Sequence, residues 1–220
     1  MAVSGKSLDA VDLFALAANG TKRLRYRRGE TIFAQGADAD AVFYIEQGVV
    51  KTTYVSRSGK EGVVRVFTPR EFFGISSILG HAKRRMAAIA VTACSVLRIE
   101  KRVVTNALRE NADVAQAFIS RLVDQRRRYE EVLMGHLFHS SEGRLARTLL
   151  RLSILGDGEG EEAILPKISQ ETLAEIVGTT RSRINYFMKK FRRIGAIKYD
   201  AGHIRVSRSE LRSMLPDLDE

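Results

Sequence analysis

The sequence predicts an α+β protein in which an antiparallel, jelly-roll-like β-roll is followed by a long helix and a winged helix-turn-helix. Three patterns support this fold class: short β-branched runs, a long apolar helical repeat, and two capped helices followed by a hairpin. The predicted domains are a β-roll over residues 1–110, the long helix over 111–137, and the winged helix-turn-helix over 138–220. A chain of 220 residues has room for two domains of ordinary size.

The composition is that of a globular protein with a polyanionic partner. Hydrophobic residues make up 45% and charged residues 28% of the chain, and the formal net charge is +10. This charge favours nucleic acid first and an anionic membrane second. No apolar run approaches the roughly 18 residues of a membrane span, and the start, with its loosely helical DAVDLFALA, is unlike a signal peptide. We therefore expect no membrane partner and a cytoplasmic location.

Runs rich in β-branched and aromatic residues fill residues 23–100, with glycines between or within them. The runs are LRYRRGETIF, VFYIEQGVVKTTYV, GVVRVFT, EFFGISSIL and AAIAVTACSVLRI. Many short strands at near-regular spacing are typical of an antiparallel barrel or jelly roll. A cupin-like metalloenzyme is one alternative function, but it needs a cluster of ligands and the region supplies only His81. We therefore expect no enzymatic activity.

Cys94 is the only cysteine, which excludes an intramolecular disulfide framework and an iron–sulfur cluster held by several thiolates of one chain. We expect Cys94 to be buried as a small apolar residue. A redox-active Cys94 remains an open alternative. His136 and His139 are close in sequence, but no third ligand stands at useful spacing on the same helix. The sequence therefore predicts no metal site.

A short helix, KRVVTNALRE, precedes a longer one from about Asp113 to His136. Apolar residues recur along the longer helix at three- and four-residue spacing, over more turns than cover for one small barrel requires. A second copy of the chain is the expected partner of this stripe. The predicted dimer contacts are Phe118, Ile119, Leu122, Tyr129, Val132 and Leu133. The alternative is a helix packed wholly within one subunit.

Residues 168–195 carry the pattern of two short helices joined by a tight turn. Ser169 is placed to cap the first helix, Gly178 to end it, and Thr179 or Thr180 to cap the second. Before them, Ser140 or Ser141 is placed to cap a helix over GRLARTLLRLSIL, and the acidic segment 156–162 is expected to be an exposed loop. Residues 196–206 follow as a hairpin, the predicted wing.

The second of these helices is strongly basic, with six Lys or Arg and no acidic residue between positions 181 and 193. Such a helix fits the major groove, where cations neutralise phosphates and an Arg in the first turn can read guanine. The agreement of caps, turn, apolar face and hairpin favours this interpretation over a merely solvated basic face. The predicted DNA-binding residues are Ser169, Thr180, Arg181, Ser182, Arg183, Asn185, Tyr186 and Lys189.

The order of these parts resembles the Crp/Fnr family of bacterial transcription regulators over nearly the whole chain. The motifs that carry the resemblance are RRGETIFAQG at 27–36, VFYIEQGVVK at 42–51 and ISQETLAEIVGTTRSRINYFMKKFRRIG at 168–195. The resemblance implies a homodimer that binds a palindromic operator and is gated by an effector in the β-roll. It also implies contact with RNA polymerase through surface loops such as 156–163. A purely architectural DNA binder is a further alternative.

Family members that bind cyclic AMP use a Gly-Glu segment for the ribose, an Arg-Ser pair for the phosphate and a Thr-Ser pair on the long helix for the base. In this sequence Ile75 follows Gly74, Arg85 follows Arg84, and Tyr129-Glu130 replaces the Thr-Ser pair. The effector-pocket candidates are Gly74, Ser76, Ser77, Arg84, Arg85, Tyr129 and Glu130. The departures predict an effector other than cyclic AMP, or none; a cyclic-nucleotide-gated regulator with an atypical pocket is the alternative.

No cofactor is expected. Relatives that bind haem use His or Cys ligands in the roll, for which His81 and Cys94 are the candidates here. Neither has a neighbouring ligand, so haem is not predicted.

Overall fold

The computed structural model describes residues 20–78, 80–154, 160–200 and 203–215. The lead-in helix expected before residue 20, most of the acidic segment and the tip of the wing lie outside these residues. The described residues form two compact units, the first made chiefly of residues up to 129 and the second chiefly of residues from 130 onward. No helix within the described ranges has both the length and the apolar character needed to cross a bilayer.

Two four-stranded sheets form the roll, with strand orders β1-β8-β3-β6 and β2-β7-β4-β5. Antiparallel pairs join β8 to β1 and β3, β6 to β3, and β7 to β2 and β4. The strands are β1 Thr21–Tyr26, β2 Thr31–Phe33, β3 Ala41–Gln47, β4 Val50–Val55, β5 Glu61–Phe67, β6 Phe72–Phe73, β7 Ala87–Ala90 and β8 Cys94–Glu100. The predicted antiparallel roll is therefore confirmed.

The interior of the roll is aromatic. The rings of Phe33, Phe43 and Phe73 pack with centroids 5.1 to 5.9 Å apart. They join a buried cluster of small and β-branched residues that includes Cys94, as the alternation of the sequence predicts. Burial raises the pKa of the Cys94 thiol, and its sulfur lies 3.2 Å from the carbonyl oxygen of Val49. Cys94 therefore packs as a small apolar residue.

Two helices follow the roll: α1, Lys101–Glu110, and α2, Ala112–Phe138. Phe118 of α2 is buried, and its ring meets that of Phe72 edge to face at 5.3 Å. Leu122 packs half-buried against the same cluster. Phe118 is thus part of the core within one chain, which corrects its prediction as a dimer contact, whereas for the half-buried Leu122 the dimer contact stays a prediction. The side of α2 that carries Phe118 and Leu122 covers the roll.

After the end of α2, the second unit contains α3, Ser141–Ser153, a three-stranded sheet and three further helices. The sheet order is β10-β11-β9. The elements are β9 Glu162–Ile164, α4 Gln170–Val177, α5 Arg181–Arg193, β10 Ile197–Asp200, β11 His203–Ser207 and α6 Arg208–Ser213. The helices and the hairpin lie where the sequence predicts them.

The third strand, β9, is a correction, because Glu162 was expected to lie in a loop. Ala163 is buried and pairs with Val206 of β11, so this short apolar segment completes the sheet. The exposed carboxylate of Glu162 lies 3.5 Å from Arg205 and 3.6 Å from Lys198. Cations on β10 and β11 thus accommodate an acidic residue that has poor strand propensity by itself.

Candidate nucleic-acid interface and effector cavity

The first helix of the helix-turn-helix, α4, is closed at both ends by local hydrogen bonds. The Ser169 hydroxyl accepts from the backbone N–H of Thr172 at 3.1 Å, which caps the N-terminus. Gly178 ends the helix with φ 68°, a left-handed conformation that favours glycine, and the N–H of Thr179 donates to the Ala174 carbonyl at 3.0 Å. These bonds define the tight turn that leads into α5.

The recognition helix α5 begins after Thr180, whose hydroxyl accepts from the N–H of Arg183 at 3.3 Å. One side of α5 is buried at i, i+3, i+4 and i+7 spacing, through Ile184, Phe187, Met188 and Phe191. The opposite side is in solvent. The packing of the apolar side therefore orients the polar side outward, as the helical repeat predicts.

The outward side contains six of the eight predicted DNA-binding residues, all exposed: Arg181, Ser182, Arg183, Asn185, Tyr186 and Lys189. The other two, Ser169 and Thr180, use their hydroxyls as helix caps, so their side chains shape the motif. The Arg183 guanidinium lies 5.9 Å from the centre of the Phe187 ring, a contact that limits its freedom. The arrangement can present donors to base edges from the first turn and cations to phosphates along the helix.

Carboxylates hold two of the basic residues of α5. Lys190 Nζ lies 2.8 Å from Glu142 of α3, and this hydrogen bond raises the pKa of the lysine. Arg181 lies 3.5 Å from Glu171 of α4. The Lys190 pair braces α5 against α3, whereas the Arg181 pair is solvent-exposed and weak.

Arg144 connects the end of α2 with the turn before the recognition helix. It donates from Nη1 to the carbonyl of His139 at 2.8 Å and from Nε to that of Val177 at 2.9 Å, with Gly178 O 3.4 Å from Nη2. A cation at the C-terminal carbonyls of two helices is favourable for both. Partial burial, followed by the charge of Arg144, lowers the pKa of nearby His136.

A cavity of about 340 Å³ opens in the roll beside α2. Aromatic rings line one part of it: Phe33, Phe67, Phe72 and Phe73. Basic or polar side chains line another part, namely Thr52, Ser76, His81, Arg84, Arg85, Gln125, Arg126 and Tyr129, and Gly74, Ile75, Met86 and Leu122 complete the lining. None of these lining residues is a carboxylate. The cavity therefore combines an apolar surface with positive charge and suits a small anion with an apolar or aromatic part.

Arg84 and Arg85 have different environments in the cavity wall. Arg84 is buried, donating from Nη1 to the Gly74 carbonyl at 2.8 Å and from Nη2 to that of Ala41 at 2.6 Å. Burial lowers its pKa, and its Nε has no hydrogen-bond partner among the described residues. Arg85 is exposed. The resemblance matches Arg84 to the family's phosphate-binding Arg. Two of its N–H donors thus bond backbone carbonyls within the fold, and Arg85 is the more accessible cation.

Five of the seven predicted pocket residues line the cavity: Gly74, Ser76, Arg84, Arg85 and Tyr129. The structure does not place Ser77 and Glu130 there. Ser77 is fully buried, and its hydroxyl donates to the carbonyls of Ala41 and Gly74. Glu130 is exposed on α2 outside the lining. Both depart from the prediction because backbone direction, and not sequence proximity, selects the side chains that reach a cavity.

Sequence reasoning missed Gln125 and Arg126, which line the cavity one helical turn before Tyr129. Their spacing of four and three residues from Tyr129 is the signal that would have found them. Gln125 is buried, and its Nε2 donates to the Phe72 carbonyl at 2.5 Å. Arg128 contacts the buried Glu71 carboxylate at 3.1 Å. Polar contacts therefore fix α2 to the strand that forms the cavity wall.

Along α2, a row of apolar side chains remains exposed, and we call it the α2 stripe. It consists of Ile119, Val123, Tyr129, Val132, Leu133, Met134, Leu137 and Phe138. Ile119, Tyr129, Val132 and Leu133 were predicted to face a partner, whereas Val123, Met134, Leu137 and Phe138 are additional. Ile119 is 58% and Leu137 66% exposed, values that are high for an apolar helix face in one chain.

Two domain models match the chain. A cyclic nucleotide-binding domain matches residues 23–111, and a Crp-like helix-turn-helix domain matches residues 143–214. The CRP-like cAMP-activated global transcriptional regulator of Mycobacterium tuberculosis is 26% identical over 195 residues, 86% of this chain and 87% of the relative.

Solved structures share the fold. FixK2 from Bradyrhizobium japonicum superposes with a TM-score of 0.75 at 20% identity, covering 88% of this chain and 96% of its own. A CRP-family transcriptional regulator from Thermus thermophilus gives a TM-score of 0.70 at 23% identity, covering 86% and 95%.

The M. tuberculosis relative and the T. thermophilus protein are named as transcriptional regulators, which agrees with the prediction of a regulator and not an enzyme. The two matched domains occur in the predicted order, on either side of α2. The chain therefore belongs to the Crp/Fnr family of DNA-binding transcription regulators.

Proposed function

We propose that the protein is a homodimeric regulator that binds a palindromic operator and responds to a small anionic effector other than cyclic AMP. The observation that supports DNA reading most strongly is the exposed first turn of α5, with Arg181, Ser182 and Arg183 opposite a buried apolar side. Family members often carry an acidic residue where this chain has Ser182, and an acidic side chain accepts from cytosine. The operator should therefore differ from that of such relatives. In-vitro selection from random duplexes tests this, and a selected pool without a palindrome would contradict it.

The α2 stripe supports dimerisation. Its residues 119, 123, 133 and 137 share one side of the helix at roughly 100° per residue, so two copies can pack along a continuous seam. A dimer would hold two recognition helices for half-sites about one helical turn apart.

Ile119→Glu tests the dimer. Because Ile119 is exposed in one chain, the substitution should leave the monomer folded while placing a charge in the seam. We expect sedimentation to show a monomer and operator binding to be lost. Ser120→Glu is the matched control, since Ser120 is exposed and about 100° around the helix. A dimeric Ile119→Glu variant would contradict this seam.

The lining of the cavity supports an effector other than cyclic AMP. The M. tuberculosis relative is named as cAMP-activated, but Ile75 stands here where cyclic-AMP-binding members place a ribose-binding Glu. A ribose hydroxyl without its acceptor costs about 1–3 kcal/mol. Calorimetric titration should show no micromolar binding of cyclic AMP; micromolar binding would favour the alternative of a cyclic-nucleotide-gated regulator. We propose that no haem is bound, and a Soret band in the purified protein would contradict this.

RNA polymerase is the proposed protein partner, and the cytoplasm, where bacterial DNA is transcribed, the proposed location. A transcription assay with purified polymerase and a selected operator separates a regulator from an architectural DNA binder. We expect the protein to change transcript yield from that promoter and not from a promoter with a scrambled operator. Equal yields from both promoters would favour the architectural function.

A further inference from the structure

Arg84 is bonded into the cavity wall, although the resemblance matches it to a phosphate-binding Arg. Its Nη1 and Nη2 donate to the carbonyls of Gly74 and Ala41, and Asp40 lies 3.8 Å from Nη2. The central carbon of the guanidinium lies 4.5 Å from the centre of the Phe33 ring, so this ring covers one of its faces. The Nε has no hydrogen-bond partner among the described residues, but it is shielded from solvent. An anion could reach this guanidinium only by displacing contacts of the fold.

Arg85 is the accessible cation of the same wall. Its side chain is exposed and lines the cavity. Within the ranges that the structure describes, no carboxylate or carbonyl accepts from its guanidinium. An arginine fork binds a carboxylate through two parallel N–H···O bonds, so Arg85 can bind a ligand anion without losing a bond of the fold. Arg126 of α2 also lines the cavity and adds positive charge.

Aromatic rings form a large part of the cavity lining. Four phenylalanines contribute: Phe33, Phe67, Phe72 and Phe73. A ligand ring placed among them gains apolar burial and edge-to-face or offset ring contacts. The cavity volume of about 340 Å³ lies at the small end of ligand cavities, which span roughly 300–1,000 Å³. One ring with a short acidic side chain therefore suits the cavity.

The lining lacks strong acceptors for the donor groups of a polar ligand. None of its residues, all of which the structure describes, is Asp or Glu. Hydroxyl or amino groups of a sugar or a base would be buried without a carboxylate acceptor, whereas a ligand carboxylate needs only donors. Desolvating a dianion such as a phosphate monoester costs more than desolvating a monoanion, and the bonds of Arg84 to the fold keep it from offsetting the second charge. The lining thus favours a single negative charge on an aromatic ring.

We propose that the effector is an aromatic monocarboxylic acid whose carboxylate binds Arg85 and not Arg84. This inference rests on the proposed function, in which the cavity binds a small anion other than cyclic AMP, and it names the chemical class of that anion. The ring lies among the phenylalanines, and the carboxylate faces the accessible guanidinium. The anion site is therefore one residue away from the position that the resemblance implies.

Calorimetric titration of the full-length protein with four probes tests this class of ligand. Phenylacetate carries both the ring and the carboxylate. Phenylacetamide lacks the charge, acetate lacks the ring, and phenyl phosphate has a dianion in place of the carboxylate. We expect phenylacetate to bind with a Kd below about 1 mM, a reasonable affinity for a ligand of about ten non-hydrogen atoms. The other three probes should bind at least about tenfold more weakly.

Arg85→Gln removes the proposed anion contact. We expect this variant to bind phenylacetate about tenfold more weakly and phenylacetamide as the wild type does, because only the charged partner is lost. Arg57→Gln is the matched control, since it removes an exposed cation from the turn between β4 and β5, outside the lining. It should leave the binding of both probes unchanged. Equal losses in the two variants, or no loss in Arg85→Gln, would overturn the assignment of Arg85.

Saturating phenylacetate should also change the affinity of the wild type for the selected operator by about fivefold or more, as expected of an effector. Unchanged operator affinity, tighter binding of phenyl phosphate, or no binding of any probe would contradict the proposal. In each of these cases a protein that still selects a palindrome keeps its proposed function as an operator-binding regulator. Micromolar binding of cyclic AMP would instead contradict the proposed kind of effector and this inference together.

Discussion

Replacing Arg181 tests the recognition helix most directly. Its side chain is 70% exposed, and its guanidinium lies 3.5 Å from the carboxylate of Glu171, whose side chain is 66% exposed. An ion pair so exposed contributes about 0–1 kcal/mol, whereas a bidentate Arg–guanine contact discriminates by about 1–3 kcal/mol. Arg181 can therefore leave Glu171 for DNA at little cost. We expect Arg181→Ala to weaken binding to the selected operator roughly 5- to 150-fold for each half-site.

Fluorescence anisotropy with a labelled operator, at fixed salt, measures this loss. Each base pair of the half-site is varied in turn, and the wild type should discriminate at one base pair where Arg181→Ala does not. Lys189→Ala is the control, because loss of a phosphate contact should weaken binding to all sequences alike and lower the salt slope by about 1 per subunit. If Arg181→Ala also weakens every sequence equally, Arg181 contacts phosphate and the proposed base reading is refuted.

Glu171→Gln and Arg181→Ala together form a double-mutant cycle. Glu171→Gln removes the carboxylate that competes with DNA for Arg181. We expect operator affinity to rise by up to about fivefold. In the Arg181→Ala background, the same substitution should have a smaller effect, and the difference gives the coupling between the two side chains. A lower affinity of the single Glu171→Gln variant would mean that the carboxylate positions Arg181 for DNA and does not compete with it.

Three further predictions concern the roll and the second unit. Gly74→Ala should lower the free energy of unfolding by about 1–3 kcal/mol in chemical denaturation. The φ of Gly74 is 72°, and the new Cβ would lie 2.7 Å from Arg84 Nη1. Gly36→Ala should cost less, because Gly36 also has a positive φ but nothing lies within 4 Å of the new Cβ. Cys94 should react slowly with thiol reagents until the protein unfolds, since burial raises its pKa; rapid labelling of the native protein would contradict its packing. The lowered pKa of His136 disfavours its protonated form in the fold, so stability should be full above pH about 6.5, the unfolded value, and decline below it. In thermal melts, the melting temperature of the wild type should therefore fall as the pH is lowered below about 6.5, and that of His136→Gln should fall less.

The sequence predicts the helix-turn-helix well because its determinants are local. Ser169 and Thr180 cap helices through bonds to residues three positions away, and the apolar side of α5 follows the helical repeat. Such features depend on short segments that are visible in the sequence.

The pocket and the dimer helix are less predictable because distant residues decide them. Arg84 is buried by bonds to the carbonyls of Ala41, 43 positions away, and Gly74, and nothing in the pair Arg84-Arg85 indicates which one turns inward. Phe118 belongs to an apolar stripe that could pack against either the roll or a partner subunit. Its contact with Phe72 assigns it to the roll. Periodicity identifies the apolar sides of a helix but not their neighbours.

We propose that an effector bound in the cavity would act on DNA binding through helix α2. Leu122, Gln125, Arg126 and Tyr129 of α2 line the cavity, and the helix continues without interruption to Phe138. At its far end, Arg144 holds the His139 carbonyl and the Val177 carbonyl of α4 on one guanidinium, so the end of α2 and the turn before α5 are constrained together. A ligand shifts this arrangement only if it binds one position of α2 more tightly than another. Such a difference in affinity would arise at the side chains of α2 in the cavity wall, because these are the groups of the helix that a ligand in the cavity can contact.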